Sequence, residues 1–173
     1  MTKIKSIVIV ANLILLLGYV NWSIAQKEET LKNGKLVLFE LAPVDPRSLM
    51  QGDYMRLNYA AGRAFDSLNT SGLDKEKKFA RRGYCIVKLD QQGIARLQRF
   101  QKQLQPLRGG EQAIRYFTSG GNLRVLRLGA ESYFFEEGTG KKYEQAKYGG
   151  LKVDEAGNSV LTGLYNAEAK LIK

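Results

Sequence analysis

The sequence predicts a mainly antiparallel β domain behind an N-terminal transmembrane helix. We expect its hairpins to form a sandwich or a partly open barrel with one or two short helices. The first observation is a long apolar run within the first 25 residues. The second is a series of short segments with alternating apolar residues, separated by turn-forming stretches at 90–93, 119–122 and 154–158. Short strands with turns between them are typical of antiparallel β domains.

The N-terminal segment has the composition of a membrane-spanning helix. Residues 7–25 are apolar apart from Asn12, Asn21, Ser23 and a glycine. A run of about 19 residues is just long enough to cross a bilayer. Tyr19 and Trp22 near its far end suit the membrane interface, where aromatic side chains are enriched. Lys3 and Lys5 precede the run, whereas the charges of Lys27, Glu28 and Glu29 just after it sum to −1. The positive-inside rule therefore places the N-terminus in the cytoplasm.

A cleaved signal peptide is the alternative to a retained anchor. Ser23-Ile24-Ala25 before Gln26 has the small-x-small form of a signal peptidase site. Against cleavage, the apolar run continues almost to that site. Both alternatives export the residues that follow. We therefore expect three parts, with an anchor or signal-like segment over 1–25, a polar connector over 26–34 and an extracytoplasmic β-rich domain over 35–173.

The first strands of the domain are predicted at 36–41, 54–59 and 84–89. In the second of these, Met55, Leu57 and Tyr59 share one face, and Tyr54, Arg56 and Asn58 share the other. This period of two marks a half-buried strand. Between the second and third strands, 60–68 could form a short helix, and 69–82 has the polar composition of an exposed loop.

Residues 94–104 carry two conflicting signals. Ile94, Leu97, Phe100, Leu104 and Leu107 recur at helical spacing, yet the turn at 90–93 favours a hairpin partner for 84–89. We predict a strand over 94–100. The remaining predictions are strands at 114–118, 123–128, 132–135, 151–153, 159–164 and 169–172, and a helix over 139–148 that ends at Gly149-Gly150.

The composition excludes several kinds of chemistry. The chain has no histidine, so the commonest general base and zinc ligand are absent. Its single cysteine, Cys85, cannot form an internal disulfide and lies in an apolar stretch, where we expect a small core residue. We therefore expect no catalytic residue, no cofactor and no metal site.

The net charge of +10 is concentrated between residues 96 and 127. We interpret this basic stretch as the solvated face of a sheet. The alternative is a surface that attracts anionic lipid or an acidic partner. Nucleic acid is not an expected partner, because the domain is expected outside the cytoplasm. The single acidic residue of this stretch is Glu111, and its basic residues are Arg96, Arg99, Lys102, Arg108, Arg115, Arg124 and Arg127.

The segment Gly52-Asp53-Tyr54-Met55-Arg56-Leu57-Asn58-Tyr59 matches the pattern Gly-Asp-Tyr-x-x-Leu-x-Tyr at every fixed position. The chain thereby resembles the GDYXXLXY family of bacterial membrane-anchored proteins. The neighbouring residues 41–51 and 133–138 are also similar to family sequence. The resemblance implies a retained anchor and a bacterial inner-membrane location, but it brings no biochemical activity. The candidate motif residues, structural or binding, are Asp45, Pro46, Arg47, Gly52, Asp53, Tyr54, Leu57 and Tyr59.

We expect mainly structural roles for these motif residues. Gly52 would allow a turn and Asp53 would bond backbone amides within it. Arg47 would pair with Asp45, Asp53 or Glu40. Leu57 and Tyr59 would enter the core and leave the hydroxyl of Tyr54 at a polar edge. The alternative is a binding surface for a partner or an extended peptide.

The motif region also resembles the box around the nucleophile of bacterial signal peptidases, through Ser48-Leu49-x-x-Gly52-Asp53. The nucleophilic serine of that family would fall on Val44, and no Ser-x-x-Lys spacing occurs in the chain. We therefore predict an accessory or interaction module without catalytic activity, beside a multispanning membrane protein. The alternative is a hydrolase-like enzyme on a signal-peptidase-like scaffold.

Overall fold

The computed structural model describes residues 2–42, 50–51, 54–64, 80–119 and 125–173. A single α-helix, α1 (Thr2–Asn33), precedes a β domain. The helix has no proline or internal break, and it continues through the polar residues after the apolar run. The predicted connector over 26–34 is therefore helical up to Asn33, and the first strand begins at Lys35.

The strands form three small sheets in which neighbours run antiparallel, with orders β1-β9-β10, β2-β3-β8 and β5-β4-β6-β7. A helical segment at 60–64 and a 3-10 helix at Gly140–Tyr143 complete the described elements. The strands are β1 (Lys35–Glu40), β2 (Met50–Gln51), β3 (Tyr54–Arg56), β4 (Arg82–Leu89), β5 (Ala95–Gln101), β6 (Glu111–Ser119), β7 (Val125–Arg127), β8 (Ser132–Phe134), β9 (Tyr148–Val153) and β10 (Ser159–Tyr165). The predicted fold class, a long apolar helix followed by antiparallel sheets with little other helix, is confirmed.

Single bridges join the three sheets around one core. Leu38 of β1 bridges to Ile94, and Leu41 bridges to Tyr59. The ring of Phe39 meets that of Tyr59 edge to face at 5.9 Å. The core takes side chains from all three sheets, including Val37, Leu57, Cys85, Val87, Ile114, Tyr116, Leu151 and Leu164. Cys85 is fully buried as predicted, and burial raises the pKa of its thiol to about 12, so it is inert at neutral pH.

The strand prediction for 94–100 is confirmed as β5, and the structure explains its helical spacing. The pairing of β5 with β4 places Leu97 opposite Val87 and Arg99 opposite Ile86, so Gln98 is an extra residue in a β-bulge. Beyond the bulge, the alternation of faces is shifted by one residue. Leu97 and Phe100 can therefore both pack against the core although they are three apart.

The predicted helix over 139–148 is wrong beyond the 3-10 helix at Gly140–Tyr143, because Tyr148, Gly149 and Gly150 belong to β9. These two glycines let aromatic rings lie directly on the strand. A Cβ on Gly149 would lie 3.1 Å from the Tyr59 ring, and one on Gly150 would collide with the Tyr165 ring. Here the glycine pair allows close packing in a sheet and does not end a helix.

Other predictions differ from the structure mainly at element boundaries. Regular pairing in the second predicted strand ends at Arg56, although the alternation of buried residues continues to Tyr59. At 169–172 there is only a bridge between Leu171 and Tyr165. The helix predicted at 60–68 is described only to residue 64, where it is helical. Most of the predicted loop at 69–82 and most of the turn at 119–122 lie outside the described residues.

Candidate functional site

The candidate motif residues fall into two groups. Tyr54, Leu57 and Tyr59 are described by the structure. Glu40, one expected partner of Arg47, lies 3.6 Å from the ammonium of Lys147 in an exposed ion pair. The other candidates lie outside the described residues, as does the serine of the hydrolase alternative (Asp45, Pro46, Arg47, Ser48, Gly52 and Asp53).

Leu57 and Tyr59 build the core, as the alternation predicts. Leu57 is 2% exposed. The buried hydroxyl of Tyr59 donates to the carbonyl oxygen of Ala130 at 2.6 Å. Burial raises the pKa of Tyr59 above its usual value, and the nearby carboxylate of Glu131 adds to that effect. Tyr59 therefore stays neutral and acts as a structural hydrogen-bond donor.

Tyr54 lies at the surface, on the opposite face of the motif strand. Its ring is tilted against that of Phe134 in β8, with centroids 5.8 Å apart. Phe134 is 73% exposed, so the two rings form an aromatic patch open to solvent. Exposed aromatic patches are often sites of contact with other molecules.

A cleft of about 300 Å³ lies beside the motif strand. Three arginines from different elements line it: Arg56 from β3, Arg63 from the helical segment and Arg127 from β7. We refer to this feature as the arginine cleft. The carboxylate of Glu131 also lines it, and one oxygen of that group accepts hydrogen bonds from the backbone N–H groups of Leu128 (2.6 Å) and Gly129 (2.9 Å).

The arginine cleft has the chemistry of an anion site. Among the described residues that line the cleft, three are arginines and one is a glutamate. Guanidinium groups match carboxylates and phosphates geometrically. Its apolar lining includes Leu57 and Leu126. Within the described ranges, no group of three acidic, histidine or cysteine side chains is placed to hold a metal ion. No sequence pattern marks Arg63, Arg127 and Glu131 as site residues, because only the fold brings them beside Arg56.

A second region of interest is the junction between α1 and the domain. The side chain of Thr30 is almost fully buried there, with its hydroxyl 3.0 Å from the carbonyl oxygen of Gln26 and 3.3 Å from the carboxylate of Asp154. The backbone N–H of Gly34 donates to the backbone carbonyl oxygen of Thr30. The ammonium of Lys152 donates to the carbonyl oxygen of Gly34 at 2.8 Å. These bonds tie the last turn of the helix to the β9–β10 hairpin.

Gly34 is required by the geometry of this junction. A Cβ there would collide with the carbonyl oxygen of Thr30 and would lie 3.1 Å from the backbone nitrogen of Val153. Backbone atoms on both sides leave little room for adjustment. The chain therefore passes from helix to strand in one residue.

The β9–β10 turn also lies alongside α1. A groove between them is lined by Trp22, Gln26 and Glu29 of the helix and by Glu155 and Ala156 of the turn. Trp22 is near the end of the apolar run, so this edge of the domain lies close to where that run ends. The β9–β10 turn is thus a part of the domain that lies next to the end of the apolar run.

α1 is long and apolar enough to cross a membrane, and it is the one helix of the described ranges that meets this test. Signal sequences meet it too. The large apolar side chains from Ile4 to Ile24 are exposed, because the rest of the protein does not cover them. A surface of this size is compatible with insertion into lipid, as an anchor or as a signal sequence.

Two arginines of the four-stranded sheet have partners within that sheet. Arg99 binds the carboxylate of Glu111 through both guanidinium nitrogens at 2.5 and 2.9 Å, and Arg115 lies over the Tyr84 ring at 5.8 Å. The bond from Arg99, helped by the backbone N–H of Arg108, lowers the pKa of Glu111 to about 2. These contacts agree with a solvated, internally paired sheet face. Arg124 lies outside the described residues.

Comparison with known proteins identifies the family. The family model described as GDYXXLXY protein matches residues 16–164, which is most of the chain, from the apolar helix to β10. No curated protein and no solved structure matches the sequence. Because the match includes the second half of the helix as well as the β domain, the resemblance extends well beyond the short motif. The chain belongs to the GDYXXLXY family.

Proposed function

We propose that this protein is a membrane-anchored accessory module that binds a multispanning membrane protein and carries out no catalysis itself. The observation that carries this proposal is the junction between α1 and the domain. Only about eight residues separate the apolar run from Gly34, and they continue the same helix. At 1.5 Å per residue, the start of the domain would lie about 12 Å beyond the hydrocarbon.

Such an arrangement favours a partner in the same membrane. The hydrogen bonds of Thr30 and Lys152 hold the domain against the helix end, so it cannot range far from the bilayer. A domain held at one height can meet the extramembrane loops of a neighbouring membrane protein repeatedly. Binding a soluble substrate would not require the domain to be held at a fixed height above the bilayer.

We assign the contact with the partner to the arginine cleft and the adjacent Tyr54–Phe134 patch. The cleft offers guanidinium groups for carboxylates of a loop, and the aromatic rings offer apolar area beside it. Aromatic residues and arginine are enriched at protein interfaces. The expected partner segment is therefore acidic with an apolar residue close by.

The proposed location is the bacterial inner membrane, with one crossing at residues 7–25. Lys3 and Lys5 would remain in the cytoplasm and the domain from residue 35 would lie in the periplasm. Residues 26–34 would be the rigid connection through the headgroup region. Retention of the anchor is part of this proposal, and cleavage after Ala25 is the alternative.

Topology can be tested with single-cysteine labelling. In a Cys85→Ala background, Glu137→Cys should react with a membrane-impermeant maleimide in cells with a permeabilised outer membrane, whereas Lys3→Cys should not. The full-length protein should sediment with membranes. The opposite labelling pattern, or a soluble mature form beginning at Gln26, would contradict the proposed topology.

The binding site can be tested by photo-crosslinking in intact membranes from Ser132, which lines the cleft. We expect a multispanning membrane protein as the product, and Arg56→Gln with Arg127→Gln should reduce its yield. Arg82→Gln with Lys88→Gln on β4 is the matched control, since both side chains are exposed and outside the cleft. Equal yields from the two double variants would exclude the cleft.

The catalytic alternative has its own test. The purified full-length protein should not hydrolyse peptide or ester libraries above the level of Ser48→Ala. A hydrolytic activity that disappears in a folded Ser48→Ala variant would replace the accessory role with the hydrolase alternative.

A further inference from the structure

The apolar run of α1 contains two asparagines whose side chains differ in hydrogen bonding. The amide of Asn21 donates to the carbonyl oxygen of Leu17, one turn earlier, at 2.8 Å. The side chain of Asn12 is exposed and makes no hydrogen bond within the described part of the chain. The helix therefore satisfies one amide internally and directs the other outward.

The depth of Asn12 makes this difference important. Asn12 lies five residues, or about 8 Å, from the N-terminal end of the apolar run. Asn21 lies near the C-terminal end of the run. If α1 crosses the bilayer as proposed above, the amide of Asn12 is in hydrocarbon. A polar group without a hydrogen-bond partner is costly there, and neighbouring helices normally supply the partner.

Asn12 also belongs to a regular polar line on the helix surface. Lys5, Asn12, Tyr19 and Gln26 recur at intervals of seven residues. A seven-residue period keeps side chains on one face and is the repeat of helices that pack with a left-handed crossing. Leu16 lies beside this line and is 59% exposed, so apolar packing surface flanks the polar side chains.

We infer that α1 pairs in parallel with α1 of a second copy of this chain, with the two Asn12 amides hydrogen-bonded to each other. A second copy has the same orientation and the same apolar run, so it brings its own Asn12 to the same depth. An amide carries donors and an acceptor, and it is therefore complementary to itself across a two-fold axis. This inference rests on the proposed membrane anchoring.

The position of the domain is compatible with this pairing. The domain contacts α1 through the bond between Thr30 and Asp154, and it lies across the groove that Trp22 and Gln26 line. Asn12 lies about 15 Å closer to the N-terminus than Trp22, counted along the helix. The two helices can therefore meet along Lys5, Asn12 and Tyr19. They must diverge before Gln26, where each helix lies against its own domain.

The first test measures self-association of full-length protein in lipid vesicles by energy transfer between donor-labelled and acceptor-labelled copies. Asn12→Leu should weaken association about 3- to 10-fold, the range expected for a hydrogen bond between membrane helices. Asn12→Gln should restore much of it. Asn21→Leu is the matched control and should leave association unchanged, because that amide is bonded within its own helix.

A second test maps the paired face by disulfide formation in a Cys85→Ser background. Leu16→Cys, next to the polar line, should form a disulfide-linked dimer in native membranes. Ile14→Cys, on the opposite side at similar depth, should not. Equal cross-linking at both positions would overturn the inference.

The outcomes distinguish this inference from the proposed function. A protein that stays in the membrane but is monomeric at all densities tested overturns the pairing and leaves the anchor intact. Equal loss of association in Asn12→Leu and Asn21→Leu also overturns it. Recovery of the mature protein in the soluble fraction contradicts the anchor itself.

Discussion

The residues of the motif strand and those of the helix–domain junction differ in how closely the rest of the protein encloses them. At the junction, Thr30 and Gly34 are enclosed, with hydrogen bonds to the domain and backbone atoms close on both sides. Along the motif strand, alternate residues differ sharply. Leu57 and Tyr59 are buried, whereas Arg56 borders the open arginine cleft.

The comparison shows that a recognisable sequence motif and a tight structural constraint need not coincide. The sequence marks the junction only as a polar connector over 26–34, yet a single added carbon at Gly34 would collide with the backbone. The motif strand is easily identified, yet only one of its faces is constrained by packing. The exposed face is left available for binding.

The largest effect is expected from breaking the buried face of the motif strand. Leu57→Ala should lower the free energy of unfolding by about 2–5 kcal/mol, because it leaves a cavity in the core. Thermal unfolding of the full-length protein in detergent measures this change. Leu36→Ala in β1, where the side chain is partly exposed, is the control, and an equal loss there would contradict a special role for the motif face.

The junction should respond next most strongly. Gly34→Ala forces a Cβ against the carbonyl of Thr30 and should cost about 1–3 kcal/mol, as overpacking commonly does. Loss of the helix–domain contact should also make residues 26–35 more sensitive to protease. Gly18→Ala is the matched control, since nothing lies within 4 Å of a Cβ there. If both variants behave like the parent, the junction is not rigid.

A smaller effect should separate the two tyrosines of the motif. Tyr59→Phe removes the buried hydrogen bond to Ala130 and should cost about 1 kcal/mol. Tyr54→Phe should leave the melting temperature unchanged, because its ring contact with Phe134 needs no hydroxyl. Equal melting of the two variants would show that the Tyr59 bond adds nothing to stability.

The smallest effect concerns a pair outside both regions and appears only in acid. The pKa of Glu111 is lowered from 4.5 to about 2 by Arg99. A lowered pKa means that this ion pair stabilises the fold fully above pH 4.5 and loses its contribution as the pH falls from there towards 2. Glu111→Gln should therefore be less stable than the parent at pH 7, with the difference vanishing near pH 2. A constant difference would contradict the ion pair.

Alternation and turn residues in the sequence predicted the strands and turns that depend on residues close together in the chain. The alternation from Met55 to Tyr59 was enough to place Leu57 and Tyr59 in the core, and the turn at 90–93 correctly joined β4 to β5. The bulge at Gln98 is different, because it depends on the register with β4 and imitates a helical spacing. Gly149 and Gly150 were wrongly predicted to end a helix. Their actual role depends on the rings of Tyr59 and Tyr165, which only the fold brings onto this strand.

The candidate site was the least predictable feature. Arg56, Arg63 and Arg127 come from separate elements, and only the packing of β3 near β7 brings the first and last together. The sequence grouped Arg127 with the basic stretch at 96–127, several of whose arginines have partners within the larger sheet. Proximity in the chain therefore gave the wrong grouping, since proximity in the fold decides which charges act together.

The uninterrupted course of α1 into the β domain has a mechanical consequence. If α1 crosses a bilayer as proposed, it acts as a lever, because it is bonded to its domain at the last turn. Any tilt of the helix would then rotate the whole domain. From the centre of the apolar run to Asn33 the lever is about 26 Å long, and a tilt of about 10° moves its end by about 4–5 Å. Helices tilt more in thinner bilayers. The height and orientation of the arginine cleft would then follow the thickness of the surrounding membrane.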